Sequence, residues 1–243
     1  MFDVAGKRIL VTGSTQGMGK SIAAAFARNG AQVFIHGSRE EKTVRVAREV
    51  GNGVTPVWAD LMEDDCADRM YSKTGNVDVL ILNASAQIVE PWDQVSNEHA
   101  RRQYRIDFES SVNLIQKYAP AMLESHWGRI ITISSVQLYV PVSRMLVYGA
   151  MKTAQYHMTK NLAEEFAPYG VTVNSIGPGI IDTPRNAKAL HDNPEGLAIA
   201  VHQIPLGYVG RDCDMNGACL LLASEEGKYI TGVNLRIDGG MSL

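Results

Sequence analysis

Residues 9–37 read ILVTGSTQGMGKSIAAAFARNGAQVFIHG. A short apolar run ends in a glycine-rich turn. Small and apolar residues then recur with helical period as far as Asn29, and a second apolar run, Gln32 to His36, follows. This is the pattern of strand, tight turn, helix, strand. Gly13, Gly17 and Gly19 occupy the turn and the first helical turn, where backbone N–H groups have no partner and the helix dipole is positive. Glycine there lets a ligand approach the main chain closely, so the segment has the physics of a phosphate cradle. The spacing is Gly-x-x-x-Gly-x-Gly, not the Gly-x-Gly-x-x-Gly of the common dinucleotide fingerprint, and the stretch does not follow the NTPase P-loop pattern. A glycine-rich turn without a ligand is the alternative.

The same alternation runs along the chain. Strands are expected at Arg8 to Val11, Gln32 to His36, Val54 to Trp58, Asp78 to Leu82, Arg129 to Ser134, Thr172 to Ile176 and Asn234 to Ile237. Several are apolar throughout, as strands buried on both faces are. Helical periods lie near Gly17 to Asn29, Glu40 to Val50, Glu63 to Lys73, Asn97 to Glu124, Val147 to Tyr169 and Cys213 to Ala223. Together these predict an α/β fold: a single Rossmann domain over residues 1–243, with a doubly wound parallel sheet of about seven strands and helices on both faces. A chain of 243 residues, 45% hydrophobic and 20% charged, can bury one such core. Residues 178–210, interrupted by Pro184, Pro194 and Pro205, form the one long irregular stretch and the candidate substrate-binding loop or lid.

Composition excludes several classes. The formal net charge is −3 and the basic residues are scattered, so no field exists to hold a nucleic acid. No apolar stretch approaches the roughly 20 residues of a membrane span. The amino-terminal residues do not read as a signal peptide, and Cys66, Cys213 and Cys219 are odd in number without zinc spacing, so a cytoplasmic protein with reduced thiols is expected. The six histidines include no pair at i, i+4, and no metal site is expected.

Tyr148 and Lys152 stand four residues apart in VYGAMKTAQYHMTKNLAEEF, which on a helix puts both on one face. A free tyrosine titrates near 10, and an ammonium group close by favours the phenolate, so the pair reads as a proton donor and acceptor with its tuning partner. A Tyr-x-x-x-Lys pair also arises where tyrosine packs and lysine snorkels. Ser135 changes the weighting: it follows the apolar strand RIITIS, where a parallel strand meets the ligand crevice, and its hydroxyl can hold a substrate oxygen beside the phenol.

In these residues the chain resembles the classical short-chain dehydrogenases/reductases. The resemblance rests on TGSTQGMG, Asp60-Leu61, Asn83-Ala84, Ser135, Tyr148, Lys152, VTVNSIGPGIIDTP and ITGVNLRIDGG, in that order over nearly the whole sequence. It implies an NAD(P)(H)-dependent oxidoreductase that moves a hydride between nicotinamide and a ketone, a sugar or polyol, or another keto compound, with Tyr148 as general acid/base. It further implies that Gly13, Gln16, Gly17, Met18 and Gly19 cradle the cofactor, that Asp60 and Leu61 meet the adenine and Asn83 its ribose, and that Pro178, Gly179, Ile181 and Thr183 line the nicotinamide. Lys152 would also hold the nicotinamide ribose. Asp60 alternatively caps the following helix, and Asn174 reads as a structural tie.

Two positions depart from the family pattern. Ser85 stands where a glycine usually follows Asn-Ala, and Asp107 takes the place of the catalytic asparagine; in the family that position orders a water, largely through its main-chain carbonyl. The expectation is a surviving proton relay with altered pH dependence. The second strand ends His36-Gly37-Ser38-Arg39, with no carboxylate before Glu40, so Ser38 and Arg39 predict a preference for NADP(H), with NAD(H) possible. Arg39 alternatively pairs with Glu40 or Glu41. Gln137, Tyr139 and Val140, with residues 186–203, are expected around the substrate. The family's habit of association implies a homotetramer. A dehalogenase of the same fold is disfavoured because Lys152 and the glycine turn are intact; a non-catalytic nucleotide-binding or regulatory protein remains the alternative.

Overall fold

The computed structural model describes residues 2–243. Its regular elements run β1 Arg8–Val11, α1 Gly17–Arg28, β2 Gln32–Gly37, α2 Glu40–Val50, β3 Thr55–Trp58, α3 Cys66–Thr74, β4 Val79–Leu82, α4 Asn97–Gln103, α5 Ser110–Glu124 and β5 Gly128–Ile133. There follow α6 Leu146–Phe166, β6 Val171–Pro178, β7 Ile181–Asp182, α7 Ala187–His191, α8 Pro194–His202, β8 Gly210–Arg211, α9 Asn216–Ala223 and β9 Asn234–Ile237.

Seven strands make one parallel sheet in the order β3-β2-β1-β4-β5-β6-β9. Each strand sends alternate side chains to opposite faces. Ile9, Val11, Val33, Ile35, Ile81 and Ile131 pack against Ile22 and Phe26 of α1 and Leu222 of α9. Leu10, Phe34, Leu80 and Ile130 face the other way, onto Met70 of α3, Leu114 and Met122 of α5 and Phe166 of α6. Burying each of these large side chains contributes about 1.5 to 3 kcal/mol. The two layers confirm the doubly wound expectation.

Strand order reverses between β1 and β4, which pair through Ile9–Val79, Leu10–Leu80 and Val11–Ile81. A crevice opens at such a switch point beyond the carboxyl ends of the strands. The loops after β1, β4, β5 and β6 all lead into it.

Two expectations are corrected. The single helix expected from Asn97 to Glu124 is α4 and α5 joined by a π-helical turn, Tyr104–Glu109. Hydrophobic period runs through the junction, so the sequence pattern does not register the extra residue; π turns recur at functional sites. Residues 178–210 are also more ordered than their prolines imply. Asn193 accepts the N–H of Gly196 at 3.0 Å, and Pro194 stands in the first turn of α8, where its missing N–H costs nothing.

Candidate active site

The glycine turn is fastened from three sides. Gly13 and Gly17 adopt φ of +61° and +51°, the left-handed region. The Ser14 N–H donates to the His36 carbonyl at 2.8 Å, and the His36 N–H returns a bond to Ser14 Oγ at 2.9 Å. The Gly13 N–H donates to His36 Nδ1 at 3.1 Å, which makes Nε2 the protonated nitrogen, donating to the Ala59 carbonyl at 3.0 Å. Burial lowers the His36 pKa to about 4, consistent with a neutral ring. From β4, Asn83 Nδ2 donates to the carbonyls of Thr12 and Gly13 at 2.9 and 3.1 Å.

Gly19 packs so tightly that an added Cβ would lie 2.6 Å from the Gly13 carbonyl oxygen and 2.9 Å from Ser14 Cα. The α1 N-terminus has neither a side-chain cap nor an acidic residue in its first turn. Its N–H groups and dipole are thus uncompensated, which suits a diphosphate. Gly19-Lys20-Ser21 does resemble the end of a P-loop, but Lys20 pairs with Glu49 at 2.6 Å on the outside of the turn. The residues therefore fit a dinucleotide at this end of the crevice.

The second half of the site stands on β5 and α6. Ser135 begins the turn after β5, its Oγ accepting the Gln137 N–H at 3.2 Å. Tyr148, Lys152, Gln155 and Thr159 form one buried stripe of α6. Lys152 Nζ donates to the Ile133 carbonyl at 2.7 Å and to Gln155 Oε1 at 3.4 Å, and lies 5.8 Å from the Tyr148 ring centre. Gln155 Nε2 donates to Ser111 Oγ at 3.0 Å, and that hydroxyl reaches the Asp107 carbonyl at 3.4 Å. A chain of side chains thus links the ammonium to the main chain of the π turn. Asp107 itself is fully buried: Oδ1 accepts the Ala86 N–H at 2.8 Å, and Oδ2 has no hydrogen-bond partner among the described residues.

Electrostatics here differ from the simple expectation that the ammonium lowers the phenol. Burial pushes the Tyr148 phenol above its ordinary value; the Arg185 guanidinium opposes that shift, Asp107 adds to it, and the hydroxyls of Ser135 and Ser85 favour the phenolate. Burial also lowers Lys152 to about 8, with Asp107 holding it up and Arg185 pressing it down. Desolvation exceeds the nearby charges because both groups are almost wholly removed from water. Asp107 is raised for the same reason, with Lys152 the largest opposing influence.

One cavity of about 660 Å³ runs from the glycine turn to the phenol. Its wall includes every residue expected to hold the cofactor except Arg39: Gly13, Gln16, Gly17, Met18, Gly19, Ser38, Asp60, Leu61, Asn83, Tyr148, Lys152, Pro178, Gly179, Ile181 and Thr183. Arg39 lies just outside, exposed at the head of α2. Lys42, one helical turn on, reaches the wall instead, its Nζ donating to Gln16 Oε1 at 2.5 Å. Ser135 and Gln137 line the far end with Tyr148, while Asp107 stands behind the wall. Asn174 is a structural tie, its Nδ2 donating to the Ile230 carbonyl at 2.7 Å.

Sequence reasoning did not find Lys42, Arg102, Arg185 or Gln155. The i, i+7 spacing of Gln155 from Tyr148 was the available signal, since a polar residue on a buried helical stripe needs a partner. Nothing local marks the two arginines.

Residues 13–242 match the family model described as enoyl-(acyl carrier protein) reductase. The chain is 34% identical over 250 residues to 3beta-hydroxysteroid dehydrogenase 1 of Eggerthella lenta, covering 99% of this chain and 95% of that protein. It is 34% identical over 256 residues to glucose 1-dehydrogenase of Gluconobacter oxydans, covering 98% and 93%. Among solved structures, 3-oxoacyl (acyl-carrier-protein) reductase of Agrobacterium tumefaciens C58 with NADP bound superposes with a TM-score of 0.94 at 33% identity, covering 98% of this chain and 95% of that one. A Beutenbergia cavernae protein described as an NAD(P)-dependent gluconate 5-dehydrogenase, with bound NADP at low occupancy, gives 0.93 at 33% identity, covering 99% and 98%. The chain belongs to the classical short-chain dehydrogenase/reductase family and is an oxidoreductase of alcohol and carbonyl groups. Its fold and the continuous crevice over the glycine turn agree with that membership.

Proposed function

We propose that this protein interconverts a carbonyl compound and its secondary alcohol, with Tyr148 exchanging the proton. A nicotinamide dinucleotide, held by the residues from Gly13 to Gly19 and by Asp60, Asn83, Lys152, Pro178, Gly179, Ile181 and Thr183, would supply or accept the hydride. The chain's own residues do the rest. The Ser135 hydroxyl orients the substrate oxygen and, with the phenol, stabilises the negative charge that develops on it. Tyr148 donates its proton to that oxygen in reduction and takes it back in oxidation. The raised phenol keeps Tyr148 protonated at neutral pH, which favours reduction there. The buried ammonium of Lys152 is fixed by Ile133 and Gln155, and Gln137 completes the substrate end.

The observation that carries this reading is the meeting of Ser135, Tyr148 and Lys152 in the wall of a cavity whose other end is an uncapped helix N-terminus. Loss of nicotinamide absorbance with a panel of ketones tests it. Tyr148→Phe should bind the dinucleotide normally and lose at least roughly a thousandfold in kcat; substantial residual turnover would reject the assignment.

Finer points follow from the same reading. Ser38 and Lys42, with Arg39 at the rim, favour NADP(H) over NAD(H), a preference supported by the NADP in solved relatives. Residues 178–210 act as the lid. The exposed Tyr229, Val233, Leu235 and Leu243 support a homotetramer, and the thiol pattern supports the cytoplasm.

A further inference from the structure

Charged residues are unevenly distributed along the cavity. Its wall carries Lys42, Arg102, Lys152 and Arg185, and Asp60, on the loop after β3, is the only carboxylate among the described lining residues. Lys42 and Asp60 belong to the nucleotide end. Nearer the phenol the wall carries the cations Lys152 and Arg185, and the nearest carboxylate, Asp107, is buried behind it.

Arg185 follows Pro184, whose ring packs towards Gly17, and its Nη2 donates to the Ser85 carbonyl at 2.7 Å. That bond brings a lid residue across to the loop after β4. It uses one of five guanidinium donors, so others remain for a ligand. The charge is close enough to influence Tyr148, Lys152 and Asp107. Arg102, on α4, also lines the cavity. Neither arginine forms an ion pair among the described residues. Arg105, one helical turn beyond Arg102, shows the ordinary surface arrangement, pairing with both Asp64 and Glu109 at 2.5 Å. A planar guanidinium beside a reaction site, with free donors and no ion-pair partner on the cavity wall, is suited to a carboxylate on the ligand.

We infer that the physiological substrate is a keto acid or the corresponding hydroxy acid, its carboxylate held by Arg185 across the lid. This rests on the oxidoreductase reading above and names its substrate class. Arg185 is then a specificity-determining residue. By tying the carboxylate to the segment that also meets Ser85, it couples acid binding to lid position.

The test pairs keto acids of graded chain length with their methyl esters, assayed with NADPH. The wild type should show a kcat/KM ratio of acid to ester of roughly 10- to 100-fold for at least one pair, the range expected of charge-assisted hydrogen bonds. In Arg185→Gln that ratio should fall towards one, mostly through KM, and Arg185→Lys should restore part of it. NADPH affinity, read by fluorescence titration, should move less than about threefold in both variants. Turnover of esters with no acid preference in the wild type would overturn the inference and leave the oxidoreductase reading standing. So would a preference that survives undiminished in Arg185→Gln. A loss of NADPH affinity equal to the loss of kcat/KM would also overturn it, assigning the guanidinium to the dinucleotide. No turnover of any carbonyl compound by protein that binds NADPH would remove both.

Discussion

Replacing Asp107 by asparagine removes one buried charge while preserving the shape, the main-chain carbonyl that Ser111 reaches, and an oxygen for the Ala86 N–H. Lys152 already sits at about 8 instead of its usual 10.5, a depression corresponding to roughly 3 kcal/mol. Asp107 is the charge that opposes this fall. Two unit charges even ~8 Å apart, at an effective dielectric of ~20, interact by about 2 kcal/mol, or about 1.5 pKa units. The sign is fixed: without the carboxylate the ammonium persists only to lower pH, and the Tyr148 phenol, which Asp107 raises, falls as well. The alkaline limb of kcat/KM for carbonyl reduction should therefore move from about 8 to roughly 6.5 in Asp107→Asn. Near pH 8 the variant should be on the order of tenfold slower. The assay is kcat/KM at saturating NADPH from roughly pH 6 to 10, with circular dichroism to check that both proteins stay folded. Superimposable profiles would refute the reasoning: they would show that burial keeps the Asp107 carboxyl protonated across the working range, with no charge to lend.

The remaining predictions concern the cradle. His36 titrates at about 4 in the fold and near 6.5 when free, so the unfolded chain takes up the proton first as pH falls. Stability should drop between those values by about 3 kcal/mol, and His36→Gln should flatten this acid slope in urea melts; an unchanged slope would show that other groups set it. Gly19→Ala puts a methyl 2.6 Å from the Gly13 carbonyl and should weaken NADPH binding at least roughly tenfold while the sheet stays folded, as titration and circular dichroism will show; near-normal affinity would mean the turn is not the diphosphate site. Lys42→Ala should raise the Kd for NADPH roughly tenfold and that for NADH less than about twofold, since only the former offers a second phosphate; equal effects on both would remove Lys42 as the discriminating residue.

Reading the sequence alone was sufficient for those features that are local. Several sheet strands announce themselves because strands buried on both faces, such as Val79–Leu82, are apolar throughout, and the uncapped start of α1 is written in Gly13, Gly17 and Gly19. The Tyr148–Lys152 pair follows from helical spacing, and Ser135 from its place at a strand end. Tertiary structure decided what depends on distance across the fold. The π turn at Asp107 is invisible to hydrophobic period, because the pattern continues through it. The direction of the Tyr148 shift required knowing how completely α6 is buried, since desolvation and neighbouring charge act oppositely. Lys42 in place of Arg39 at the wall, Gln155 on Lys152, and Arg185 against Ser85 join residues brought together only by packing, and no spacing along the chain encodes which side chain a loop will carry across a crevice.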